Sequence, residues 1–285
     1  MTFSFHDDQF DPKKNATALN NTMFRLGMPH VDAKGFSNAW LMNEAAQMHL
    51  EAVAEELGQP PARWVDSAGR RFFASVAVAT LSGSSVAFRE DTACCLRMVV
   101  RPSARTRWLS QIDLESPSGK RICVEIVTTF VTLDGRFRVK LAKAGSNGQA
   151  DAGVTDPDDR RSQTLLDLGK VELKRAATCE GLAQISFPIS KTEHLNDLGL
   201  VDFAHFQTFF AEAEATVCAA PAQGLCLVTR RVHYFDHLVA DDGLDIVTTL
   251  TTNVHNLPSW MIAFSVARRQ SDGKVVAACE SSYRV

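Results

Sequence analysis

The stretch GMPHVDAKGFSNAWLMNEAAQMHLEAV, residues 27–53, carries the reading on which the fold turns. Gly27, Pro29 and Gly35 punctuate a tight loop, and Ser37 stands where a helix cap belongs. Trp40, Leu41, Ala45, Met48, Ala52 and Val53 then recur at helical spacing until Gly58, Pro60 and Pro61 stop the pattern. The spacing predicts an amphipathic helix over 37–57. A second stretch, LNDLGLVDFAHFQTFFAEAEATV at 195–217, repeats the habit. Phe203, Phe206, Phe210, Ala213 and Val217 fall three or four residues apart, Glu212 and Glu214 lie on other faces, and Pro221 follows, which predicts a helix over 202–219.

Each helix is followed by β-rich segments. The first set covers 64–65, 71–81, 93–101, 106–115, 121–133 and 136–142; the second covers 225–238, 244–255, 260–269 and 274–284. Asp134-Gly135, Asp242-Gly243 and Asp272-Gly273 mark turns. Connections this short make antiparallel neighbours, since parallel pairs need long crossovers. The stretch GSNGQADAGVTDPDDRR, 145–161, has no periodicity and reads as a linker or surface excursion, and GKVEL from Gly169 reads as the start of a strand.

One long helix followed by an antiparallel meander therefore occurs twice, a tandem α+β repeat. Wrapping a curved sheet around each helix buries its stripe, and joining the two sheets edge to edge hides strand edges. That is the double hot-dog architecture; two independent sheets would give the same periodicities. The expected units are 1–160, with an acidic N-terminal tail and a linker from about 145, and 161–285.

Composition agrees with a soluble globular chain: 285 residues, 45% hydrophobic and 22% charged. Thirty basic against 33 acidic residues give a net charge of -3, no field to attract nucleic acid. The start, MTFSFHDDQFDPKK, is unlike a secretory leader, and seven cysteines without a CxxC pair fit a reducing cytoplasm. No apolar run is long enough for a transmembrane helix. No metal or tightly bound cofactor is expected. His233 and His237 are placed on one strand, where four residues span ~13 Å and cannot share a metal.

The candidate chemistry sits in the loops before the two helices. His30 is an acid or base candidate, imidazole being the side chain suited to proton transfer near neutral pH, alongside a structural loop role. The helix start at Gly35, Phe36 and Ser37 offers backbone N–H groups that could polarise a carbonyl. The equivalent second loop brings Asn196, Asp197 and Asp202, as carbonyl partner, base or water-orienting groups, although each is also an ordinary cap or turn residue. Arg101, Arg105 and Arg107 beside Trp108 form a small basic cluster, read either as a solvated hairpin or as a docking place for a phosphate, with Arg105 the substrate-binding candidate.

Residues 27–53, the segment DSAGRRFFASVAVATLSG at 66–83 and residues 195–217 resemble the double hot-dog proteins of polyketide pathways typified by the leinamycin-pathway bifunctional acyltransferase/decarboxylase. The resemblance implies an acyltransferase/decarboxylase-like enzyme acting on acyl thioesters of coenzyme A or an acyl carrier protein. Coenzyme A or phosphopantetheine then enters only as part of the substrate; tandem units already form an internal pseudo-dimer, so a monomer or homodimer is expected. In that family a tyrosine on the strand after the first helix accepts the acyl group; its match here is Phe73, which has no nucleophile, with Ser75 two residues on. The departure leaves open a hot-dog dehydratase, a thioesterase or a catalytically silent carrier-binding protein.

Overall fold

A computed structural model describes residues 18–32, 35–65, 69–104, 107–134, 138–141, 157–196, 198–218, 225–252 and 260–284. The first unit contains β1 (Ala18–Arg25), a small hairpin of β2 (Val31–Asp32) and β3 (Gly35–Phe36), α1 (Asn38–Glu56), β4 (Phe72–Ser82), β5 (Ala93–Ala104), β6 (Arg107–Glu115), β7 (Arg121–Asp134) and β8 (Arg138–Leu141). Helix α2 (Pro157–Ala177) leads to β9 (Ala183–Pro188), α3 (His205–Val217), β10 (Cys226–Tyr234), β11 (Gly243–Thr252), β12 (Trp260–Arg269) and β13 (Val275–Arg284). The fold is the α+β double hot-dog: one antiparallel sheet in the order β1-β5-β6-β7-β4-β10-β13-β12-β11-β9, with β8 added beside β7.

Helix α1 begins as its sequence requires. The Ser37 hydroxyl accepts the Trp40 N–H at 3.3 Å, filling an orphan donor of the first turn. Its buried stripe, Leu41, Met42, Ala45, Met48, Ala52 and Val53, lies against β4–β7 in the first core. Helix α3 buries Phe206, Phe209, Phe210 and Ala213 against the second sheet half. Both helices are entered through a tight reversal, Val31↔Phe36 in the first unit and Leu195↔Val201 in the second, so the repeat extends to the loops.

The segment after residue 156 departs from expectation. Residues 157–161, taken as linker, are helical, and GKVEL is the middle of α2 rather than a strand. The helix has a sparse apolar stripe: Ser162, Leu165, Gly169, Glu172 and Ala176 form the buried face, so only small or lone apolar residues mark it. Leu165 packs on Val78, Leu109 and Val127, and Ala176 on Phe264, Val266 and Ala278, so α2 crosses the outer face of both units. The expected unit boundary at 160/161 falls inside this helix.

The seam between units is short. β4 and β10 pair from Ser82↔Thr229 to Val78↔His233. Beyond that rung the chain stays with β13, because the N–H groups of Phe235 and Asp236 both donate to the Val276 carbonyl, at 2.8 and 3.2 Å. The Leu238 carbonyl then accepts the Val201 N–H at 2.9 Å. β4 meanwhile continues toward Phe72, with a register shift between Val76 and Val78. The two units part at this place.

Candidate functional site

Where the seam opens there is a cavity of about 500 Å³. Four consecutive β4 residues, Phe73, Ala74, Ser75 and Val76, line it. Successive side chains of a strand point to opposite faces, so such a run shows a cavity lying along the open edge of β4. α1 supplies another wall through Trp40, Asn43, Glu44, Gln47, His49 and Leu50; the loop before α3 and the segment after β10 supply the rest. Burial gives the cavity a direction: Asn43, Gln47 and Asn196 are exposed at its rim, whereas His49, Ile126 and Thr128 are buried.

Of the residues singled out in the sequence for chemistry, Asn196, Asp202, Phe73 and Ser75 line this cavity. The Asn196 Oδ1 accepts the N–H groups of Leu198 and Leu200, at 3.0 and 3.2 Å, and so holds the turn. The Asp202 Oδ1 accepts the Ala204 N–H at 2.9 Å, and Oδ2 bonds none of the described residues. At the start of α3 the N–H groups of His205, Phe206 and Gln207 are already taken by the carbonyls of Asp202, Phe203 and Ala204. Asp197 and Arg105 lie outside the described residues.

His30, Gly35, Phe36 and Ser37 stand behind the cavity wall, and Trp40 comes between. The His30 Nδ1 accepts the Gly27 N–H at 2.7 Å, and its ring meets Trp40 edge-on at 4.5 Å. Phe36 is buried between Trp40 and Phe88. Gly35 pairs with Asp32, and Ser37 is occupied as the cap of α1.

The cavity also gathers residues to which the sequence reading assigned no chemistry. His237 is not on the strand with His233: β10 ends at Tyr234, and the two histidines part, His233 beneath α2 and His237 into the cavity. The His237 ring meets Phe73 edge-on at 6.1 Å and makes no hydrogen bond to a described residue. Burial lowers its pKa, outweighing the adjacent Asp236 carboxylate. Asp236 itself is anchored by Arg269 and Lys274, both at 2.7 Å. These ion pairs fix the backbone that carries His237, and Arg269 also donates to the His237 carbonyl at 3.2 Å.

Tyr234 donates to the Phe203 carbonyl at 3.1 Å, and burial pushes the phenol above its ordinary range. The hydroxyl therefore stays protonated. On α1, His49 places its Nε2 2.9 Å from the Thr128 hydroxyl and its Nδ1 against the Ser110 hydroxyl. Burial lowers the His49 pKa to about 4, so this ring is neutral at physiological pH. A histidine inside an apolar stripe gave no functional signal in the sequence.

Solved structures of the same architecture show the fold. A 12:0-ACP thioesterase from Umbellularia californica superimposes with a TM-score of 0.66 at 10% identity, over 93% of this chain and 94% of that one. An acyl-ACP thioesterase from Bacteroides thetaiotaomicron gives 0.60 at 11% identity, over 93% and 98%. No protein-family model matches the sequence, and no curated protein matches it. Among the described residues, no group of three or more His, Cys, Asp or Glu side chains is placed to hold a metal, and no helix is long and apolar enough to cross a membrane.

Proposed function

We propose that this protein hydrolyses an acyl thioester, carried by coenzyme A or an acyl carrier protein, in the seam cavity. The observation that carries the reading is the pairing, on one cavity, of the Asp202 carboxyl group and the His237 imidazole, whose Oδ2 and ring nitrogens bond none of the described residues. A carboxylate or a neutral imidazole can take a proton from water as its oxygen bonds to the thioester carbon. The C–S bond then breaks, and the proton passes to the departing sulfur. The Ser75 hydroxyl on the β4 wall is available to donate to the developing oxyanion. Coenzyme A or phosphopantetheine enters as part of the substrate, with no tightly bound cofactor. The carrier thioesters named for the two solved relatives support the substrate class.

The resemblance of residues 27–53, 66–83 and 195–217 supports a setting in polyketide-type metabolism. Decarboxylating transfer through an acylated tyrosine is disfavoured, because Phe73, which the resemblance matches to that tyrosine, carries no nucleophile. Tyr234 reaches the same cavity, but as a protonated donor to a backbone carbonyl.

The test is incubation of the purified protein with malonyl-, methylmalonyl-, hydroxyacyl- and saturated acyl-thioesters of coenzyme A and of a carrier protein, read by intact mass and thiol release. Free thiol and free acid are expected, lost in Asp202→Asn and reduced about 10²-fold or more in His237→Gln. Carrier binding without turnover of any substrate refutes hydrolysis and leaves a binding protein.

A further inference from the structure

The buried end of the cavity has a chemistry that a hydrocarbon chain does not need. His49 and Thr128 sit there beside Ile126, and each is about 1% exposed. The hydroxyls of Ser110 and Thr128 occupy the two ring nitrogens of His49. Burying three polar side chains in a cluster that otherwise holds Met48, Ile112, Val124 and Phe130 is costly unless each is hydrogen-bonded. Apolar residues would fill the space at less cost if the cavity took only methylenes.

A neutral imidazole donates through one nitrogen and accepts through the other. If Nε2–H donates to Thr128, the Thr128 O–H remains available to the cavity as a donor. If Thr128 donates to Nε2, its oxygen keeps both lone pairs and can only accept from a ligand. The Ser110–His49–Thr128 chain can thus present either polarity from one oxygen, matching a ketone in one state and a hydroxyl in the other.

We infer that the Thr128 hydroxyl, oriented by His49, recognises an oxygen on the acyl chain, so that the ligand is a hydroxy- or oxoacyl thioester rather than a saturated one. The inference rests on the thioester reading of this cavity. His49 acts here as a positioning residue; Thr128 is the group that meets the ligand.

Two measurements separate this inference from the hydrolytic reading. Non-hydrolysable thioether analogues of octanoyl, hydroxyoctanoyl and oxooctanoyl N-acetylcysteamine are titrated calorimetrically, and the matching thioesters are assayed for hydrolysis. The oxygenated analogues are expected to bind about tenfold more tightly than the saturated one, the ratio one buried hydrogen bond supplies. Thr128→Val keeps the side-chain shape and should bring that ratio to about one, while Thr128→Ser should restore it. A merely structural threonine would lower affinity for all analogues alike. Equal binding of saturated and oxygenated analogues by the unaltered protein overturns the inference even if thioesters are hydrolysed. Preference without hydrolysis upholds it and refutes the hydrolytic reading.

Discussion

Replacing Arg230 by methionine should be among the most damaging single changes to this protein. Arg230 projects from β10 into the second core, where it is 4% exposed, and meets Glu214 of α3, itself 1% exposed. The guanidinium also donates to Ser281 Oγ at 3.0 Å, to the Gln207 carbonyl at 3.1 Å and to Tyr283 at 3.2 Å. Burial opposes the Arg230 charge, and the facing Glu214 carboxylate outweighs it, holding the guanidinium above its ordinary range. Removing it leaves Glu214 with neutral donors only, Ser281, Tyr283 and the Cys279 thiol. Breaking a buried pair from one side costs about 3–5 kcal/mol. At roughly 2.1 cal/mol/K of unfolding entropy per residue, that is a fall in Tm of about 5–8 °C for a chain of this length. Denaturant unfolding and a thermal scan of Arg230→Met measure it. The double variant Arg230→Met/Glu214→Leu removes both charges and should lose at least about 2 kcal/mol less than the two single losses added together. A single-variant loss under about 1 kcal/mol, or strict additivity, would show that the pair is not the buried, mutually dependent unit described.

Three further outcomes follow from named contacts. His49 and His233 both have folded pKa values lowered to about 4 by burial, against an ordinary 6.5; the unfolded chain therefore binds protons first, and stability, fully present above about pH 6.5, should fall by roughly 3 kcal/mol per histidine as the pH drops to about 4. His233→Leu should flatten the slope of unfolding free energy against pH by up to about 1.4 kcal/mol per unit in that window, and an unchanged slope refutes the assignment. Gly169→Ala, a change that stabilises an ordinary helix interior by about 1 kcal/mol, should instead destabilise by about 1–3 kcal/mol in denaturant unfolding, because its Cβ would lie 2.8 Å from Nδ1 of His233. In the pH profile of thioester hydrolysis, activity should rise through a pKa below the ordinary histidine value, since burial favours neutral His237; a limb at or above ~6.5 would place the titrating group elsewhere.

What the sequence revealed, and what it hid, follows from how each element is held. Helix α1 was legible because its cap, stripe and stop are all local, and β10 to β13 because alternation and Asp-Gly turns are local too. Helix α2 was not, since its buried face relies on Ser162, Gly169 and Glu172, which resemble loop residues until the sheet beneath them is known. Asn196, Asp202 and Phe73, singled out from their loops and strand, line one cavity. His237 could not, because only the pull of Val276 on residues 235 and 236 takes it off the line of β10. His49 sits within a helix stripe and gains its meaning from Ser110 and Thr128, 61 and 79 residues away.

The last rung of the seam, Val78↔His233, is gripped from outside the sheet. Leu165 of α2 rests on Val78, and Gly169, one helical turn later, lies against the His233 ring, which stacks on Phe235. One face of one helix thus touches both partners of the rung at which the two units separate. The helix sits like the stop of a zipper: the rung at which the units separate is braced by side chains on α2, none of which lines the cavity. Trimming Leu165 or crowding Gly169 would retune the cavity from the far side of the sheet.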